Sequence, residues 1–154
     1  MQRLFSSTVC VLLATMFVVL PSFSTRPGGE GFEIYLNNKV ILQQFGNQLK
    51  TVKEITIDPQ HADAKLTVKY HHCGQVGKNR RLVIRDEDNR LLKQWNFEDA
   101  SSPAEGISCS VKEILGLSKN KPTTLRLYYS SNELPGGRQL AAIVTGKGAT
   151  AKVR

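Results

Sequence analysis

Alternating apolar and polar positions dominate this chain. Phe32, Ile34 and Leu36 alternate with Glu33 and Tyr35, the period-two signature of a strand with one buried face. Asn37 and Asn38 follow, and asparagine tolerates the positive φ of a tight hairpin turn, so residues 40–45 read as the return strand. Residues 51–57 predict a third strand with Ile55 and Ile57 inward, ended by Asp58 and Pro59. Residues 65–73 predict a fourth. Leu66, Val68, Tyr70 and His72 share one face of it, and Thr67, Lys69, His71 and Cys73 the other.

A basic glycine loop over residues 74–80 reads as a solvated hairpin loop into a strand at 81–86, carried by Leu82 and Ile84. Asp86 to Asn89 make a polar hairpin turn, and Leu91, Trp95 and Phe97 line one face of the strand after it. A polar loop with Pro103 leads to a short strand at Ile107 and Cys109. Ser110 and Glu113 have the capping-box spacing, in which each side chain satisfies a free backbone N–H at a helix start, and Ile114, Leu115 and Leu117 then predict a helical turn or two. Residues 123–130 form a strand, Pro135-Gly136-Gly137 the connection, and residues 139–145 the last strand.

The pattern gives about eight short strands and one short helix, an all-β chain. The expected architecture is an antiparallel β-sandwich of immunoglobulin-like shape, with a small β-barrel as the alternative. Trp95 lies between Cys73 and Cys109, but the spacing is too short for the antibody-type pattern.

The first 24 residues break from this pattern. Arg3 precedes an apolar run that ends at Pro21, with small residues at Ser22 and Ser24, which predicts a secretory signal cleaved after Ser24. Cys10 lies inside that run rather than at its end, which excludes a lipoprotein cleavage point. Residues 25–30 then read as a linker, 31–146 as one β-sandwich, and 147–154 as a flexible basic tail. No other stretch is apolar enough for a transmembrane span, so the mature chain is expected to have none. Localisation is expected to be periplasmic or extracellular.

Export changes the reading of the cysteines. An oxidising compartment makes a Cys73–Cys109 disulfide the expectation, closing a loop of about 35 residues and contributing ~3–4 kcal/mol. The alternative is a metal site for zinc or copper using His71 and Cys73, with His61 or Cys109 brought in by folding. No second spaced pair of ligands supports it, and the plainer reading is that His72 packs beside Tyr70 while His71 is solvated.

The chain has 154 residues and a formal net charge of +8. An exported basic domain can adhere to an anionic polymer at the cell envelope or to a partner protein. No nucleic-acid motif is present, so no nucleic-acid partner is expected. Lys78, Arg80 and Arg81 in and after the glycine loop are candidate anion contacts, through charge and backbone N–H groups. The loop is not a phosphate-binding P-loop, because that spacing and a following helix are missing. Tyr35 and Tyr128 point outward by alternation and are candidates for stacking on sugar rings. Asp86 to Asn89 lack the EF-hand ligand pattern. No nucleophile elbow, zinc-protease motif or paired carboxylates on a shared strand face occur. The functional expectation is therefore a non-enzymatic module acting by surface binding of protein, glycan or envelope polymer. An inhibitor of a secreted enzyme, presenting residues 74–80 or 134–137 as a rigid loop, rests on size and export alone.

Overall fold

The computed structural model describes residues 29–103, 105–118 and 123–146. The predicted signal with Cys10, most of the predicted linker and the basic tail lie outside these residues.

Among the described residues, nine strands and one α-helix follow the predicted pattern closely. They are β1 (Gly31–Leu36), β2 (Lys39–Phe45), β3 (Lys53–Ile57), β4 (Lys65–His71), β5 (Arg80–Arg85), β6 (Leu91–Phe97), β7 (Ile107–Ser110), α1 (Val111–Leu117), β8 (Thr123–Ser131) and β9 (Leu134–Thr145). They build two sheets, one in the order β2-β1-β4-β7 and one in the order β3-β9-β8-β5-β6. The sheets face each other as a sandwich, and no closed barrel forms. Phe32, Ile34, Leu66 and Val68 come from the first sheet and Leu82, Ile84, Leu125, Leu127 and Ile143 from the second, all in one buried cluster. Each fully buried aliphatic side chain contributes roughly 1.5–3 kcal/mol by leaving water.

Asparagine supplies the turns as its αL tolerance predicts. Asn37 at φ 49° closes the β1–β2 hairpin, and Asn89 at φ 65° closes β5–β6. Asp86 fixes the second turn by accepting from the Arg90 backbone N–H at 2.8 Å.

Several expectations are corrected. The loop after β4 is not a hairpin loop: β4 and β5 belong to different sheets, so residues 72–79 cross between them. One neighbour pair, β3 with β9, is parallel, because the chain leaves β2 through a 3-10 turn (Gly46–Lys50) and enters the second sheet at its edge. Buried Gln44 pins that turn, donating from Nε2 to the carbonyls of Gln48 and Thr51 at 2.9 Å each. Pro135-Gly136-Gly137 is part of β9, and the reversal falls at Asn132 and Glu133. Proline is tolerated there because β3 pairs only with Ala141 to Thr145, leaving one side of early β9 without a ladder partner.

The helix starts where expected, yet Ser110 makes no side-chain cap bond. Glu113 is held elsewhere, accepting from Trp95 Nε1 at 2.7 Å, which ties α1 to the edge strand β6. Among the described residues no helix is long and apolar enough to cross a membrane.

Candidate functional site

Cys73 and Cys109 are both free, which overturns the expected disulfide between them. Cys109 on β7 stands opposite Leu66 near the start of β4, while Cys73 follows the end of β4 in a turn at φ 54°. From Leu66 to His71 alone the strand advances roughly 16 Å, against the ~7 Å limit between bonded Cα atoms. Alternation assigned the faces correctly but carries no information on which strands become neighbours.

The same geometry separates the candidate metal ligands. His61 sits in a 3-10 turn before β4 and Cys73 beyond its far end. His71 lies on the outer face of the first sheet with its ring against Phe45, centroids 5.5 Å apart. Among the described residues no group of three or more His, Cys, Asp or Glu side chains is placed to hold a metal ion. Cys109 is also a poor thiolate source: burial, with Glu113 adding to it, pushes its thiol up to about 12. Among the described residues, His61, His71, Cys73 and Cys109 are not gathered into a ligand set for zinc or copper.

The glycine loop does bind anions, but they are the protein's own. The Lys78 backbone N–H donates to the Glu133 carboxylate at 2.9 Å, and that of Asn79 to Asp99 at 2.7 Å. Arg80 is not a surface cation: it is 5% exposed and shares the inward face with Leu82 and Ile84. Its guanidinium donates to the carbonyls of Glu98 and Glu105, each at 3.0 Å, and to the Glu105 carboxylate at 2.9 Å. It therefore clips the 98–106 loop over the core. Periodicity held this signal, since residues 80, 82 and 84 share a face of one strand.

A second polar cluster closes the same end of the sandwich. Tyr70 donates to the Glu30 carboxylate at 2.6 Å, and Arg138 donates to both the Tyr70 hydroxyl and Glu30. Glu30, expected to lie in a linker, is thus a structural residue, and the Tyr70 and Arg138 donors hold its carboxyl below the usual range. His72 lies beside Tyr70 as expected, ring centroids 4.7 Å apart, with the Tyr129 hydroxyl 3.0 Å and the Ser131 hydroxyl 3.3 Å from Nε2. Tyr129 and Ser131 are buried, so this inner part of the cluster braces the fold, while Glu30 and Arg138 stay partly exposed at its rim.

What the structure does assemble lies on the outer face of the second sheet. Arg81, Val83 and Arg85 alternate outward along β5, and Arg126, Tyr128 and Ser130 outward along β8. The register sets Arg81 opposite Ser130, Val83 opposite Tyr128, and Arg85 opposite Arg126. Gln94 of β6 continues the Val83 row on one side, and Gln139 of β9 continues it on the other. A groove of about 350 Å³ opens over Arg81, Val83, Arg85, Gln94 and Tyr128. The Arg85 guanidinium stands 5.8 Å from the Tyr128 ring centroid, and the Tyr128 hydroxyl donates to Gln139 at 3.2 Å. Among the described residues no carboxylate forms an ion pair with Arg81, Arg85 or Arg126.

Of the candidate binding residues, then, Arg81 and Tyr128 meet in one groove. Lys78 and Arg80 do not join them. Tyr35 lies on the opposite outer face, its hydroxyl donating to Glu33 and its ring 5.0 Å from Lys69 Nζ. Arg85, Arg126 and Gln94 were missed, because their grouping depends on the β6-β5-β8 neighbour order. Comparison with protein-family models gives no match, and comparison with curated proteins finds no similar sequence.

Proposed function

We propose that the chain is an exported, non-enzymatic module that binds an anionic polymer on the outer face of its second sheet. The observation that carries this reading is the Arg85–Arg126 pair, two cations set directly opposite each other on adjacent strands. Like charges in a cross-strand pair repel and destabilise the sheet. Arg81 lies farther along the same face of β5, and no carboxylate is paired to any of the three among the described residues, which supports a negative charge from another molecule as the ligand. The groove is open to solvent rather than enclosed, as suits an extended ligand.

Retention on immobilised dextran sulfate, compared with neutral dextran, tests the reading. Wild-type protein should bind the sulfated matrix in a salt-dependent manner and pass through the neutral one. Arg85→Gln/Arg126→Gln should elute at markedly lower salt than Lys39→Gln/Lys50→Gln, a control of equal charge loss on the other sheet and its connecting turn. Equal elution of the two variants would reduce the effect to net charge and overturn the assignment of this face.

A further inference from the structure

Resting on that reading, we propose that the ligand of the groove is an acidic oligosaccharide of the uronate type, with a sugar ring over Val83 and Tyr128 and carboxylates reaching the arginines on either side. Arg81 and Arg85 are four residues apart on one face of β5, a separation of roughly 13 Å along the strand. Between them the register places no further charge, only Val83 and its cross-strand partner Tyr128. The groove floor is therefore cation, apolar platform, cation, along a line longer than one sugar ring. An aromatic ring with an adjoining apolar side chain offers the flat surface that a pyranose C–H face covers. Gln94 and Gln139 lie in the same row as the platform; Gln94 donates to Asn96 at 2.9 Å and keeps its amide oxygen as an acceptor, and Gln139, accepting from Tyr128, keeps its amide N–H groups as donors.

Other polyanions fit less well. An extended acidic peptide binds a sheet by adding to a free edge, but β5 and β8 lie inside their sheet with both neighbours paired. A helix needs a continuous apolar groove, whereas here Val83, Tyr128 and Pro135 are interrupted by Arg81, Arg85, Asn89, Gln94 and Ser130. Single-stranded nucleic acid needs successive stacking platforms, and Tyr128 is the one aromatic side chain on this face among the described residues.

The test is calorimetric titration of the protein with tetragalacturonate, with tetraglutamate of the same formal charge, and with neutral maltotetraose. Tetragalacturonate should bind at least tenfold more tightly than tetraglutamate, and maltotetraose should bind weakly or not at all. Tyr128→Ala should lower tetragalacturonate affinity at least tenfold, while Tyr128→Phe, which keeps the ring, should retain it. If tetraglutamate binds as tightly as tetragalacturonate, the saccharide inference is overturned and the anionic-surface reading stands. If neither binds and dextran sulfate is not retained, both fall. The ligand comparison on the wild-type protein decides the question even if Tyr128→Ala does not fold.

Discussion

Tyr70 and Tyr129 stack face to face across the two sheets, ring centroids 4.5 Å apart and planes 6° from parallel. Tyr70 stands on β4 and Tyr129 on β8, so the pair bolts one layer of the sandwich to the other. Each hydroxyl is then spoken for: that of Tyr70 by Glu30 and Arg138, that of Tyr129 by His72. Burial, with the Glu30 hydrogen bond adding to it, pushes the Tyr70 phenol well above its ordinary value, and burial raises that of Tyr129 as well. Tyr70→Phe keeps the stack but strips Glu30 and Arg138 of their shared oxygen. It should cost ~1–2 kcal/mol in urea unfolding. Tyr70→Leu should cost roughly a further 1 kcal/mol by removing the ring pair. Equal stability of the Phe variant and the wild type would show that the hydroxyl contributes nothing.

His72 makes the fold sensitive to mild acid. Burial lowers its pKa below the ordinary 6.5, and neighbouring His71 lowers it further, while Glu133 and Glu30 oppose the shift. Tyr70, Tyr129 and Ser131 complete its surroundings without charge. A histidine held neutral in the fold binds a proton more readily once unfolded. Stability should therefore be full above the ordinary value and decline as pH falls from 6.5 toward the lowered folded value. Thermal midpoints measured between pH 8 and pH 5 should show this slope in wild type and lose it in His72→Gln. A slope unchanged by the substitution would assign it to another group.

The two thiols should differ in reach. Cys73 is exposed in its turn, whereas Cys109 is buried with its thiol raised to about 12. Iodoacetamide applied to native protein at pH 8, followed by peptide mapping, should label the Cys73 peptide and leave the Cys109 peptide unmodified until denaturant is added. A disulfide-linked peptide containing both residues would contradict the strand pairing of β4 with β7.

Arg126 should be a residue whose removal stabilises the fold and weakens binding. Its only cross-strand opposite on β5 is Arg85. Arg126→Gln removes the repulsion and should raise stability by a few tenths of a kcal/mol, within the ~0.2–1 kcal/mol range of cross-strand pairs. The same variant should elute earlier from dextran sulfate. A loss of stability would mean that the Arg126 stem packs on the sheet more than its charge repels.

Alternation carried most of the fold, because a strand with one wet face writes its burial directly into residue order. Leu66, Val68, Tyr70 and His72 are all buried on the inward face the pattern assigned them. The pattern failed where neighbours are chosen at long range. It could not show that β4 pairs with β1 and β7 rather than β5, and so both the disulfide and the hairpin reading of the glycine loop were wrong. The site was half legible for the same reason. Outward positions such as Arg81 and Tyr128 follow from period two, but their meeting with Arg85, Arg126 and Gln94 follows from the β6-β5-β8 order. Arg80 shows the converse: charge in a glycine-rich stretch suggested a surface contact, and strand phase turned it inward.

The Arg80–Glu105 clip gives the last prediction, a second and more acidic window of instability. Two donors from Ser101, its hydroxyl and its backbone N–H, hold the Glu105 carboxyl down to about 2, with Arg80 adding to them. A depressed carboxyl is a group that the folded state keeps ionised when the unfolded chain would take up a proton. Its contribution is complete above the ordinary value of 4.5 and is lost as pH falls from there through about 2. This range lies below the His72 range, so the two should appear as separate slopes in one pH series. Glu105→Gln should reduce the lower slope, to which the lowered carboxyls of Glu30, Asp86 and Glu133 also contribute, and leave the upper one in place. Arg80→Met tests the other half of the clip, because it leaves the Glu98 and Glu105 carbonyls without their donor. Losing a buried guanidinium of this kind should cost about 2–4 kcal/mol at neutral pH. It should also raise protease sensitivity within the loop that carries Glu98 and Glu105 before the rest of the sandwich is cut, since Arg80 contributes three of its ties to the core beside the Asn79–Asp99 and Ala100–Gly77 hydrogen bonds. Cleavage spread evenly over the chain would show that the loop is held by other means.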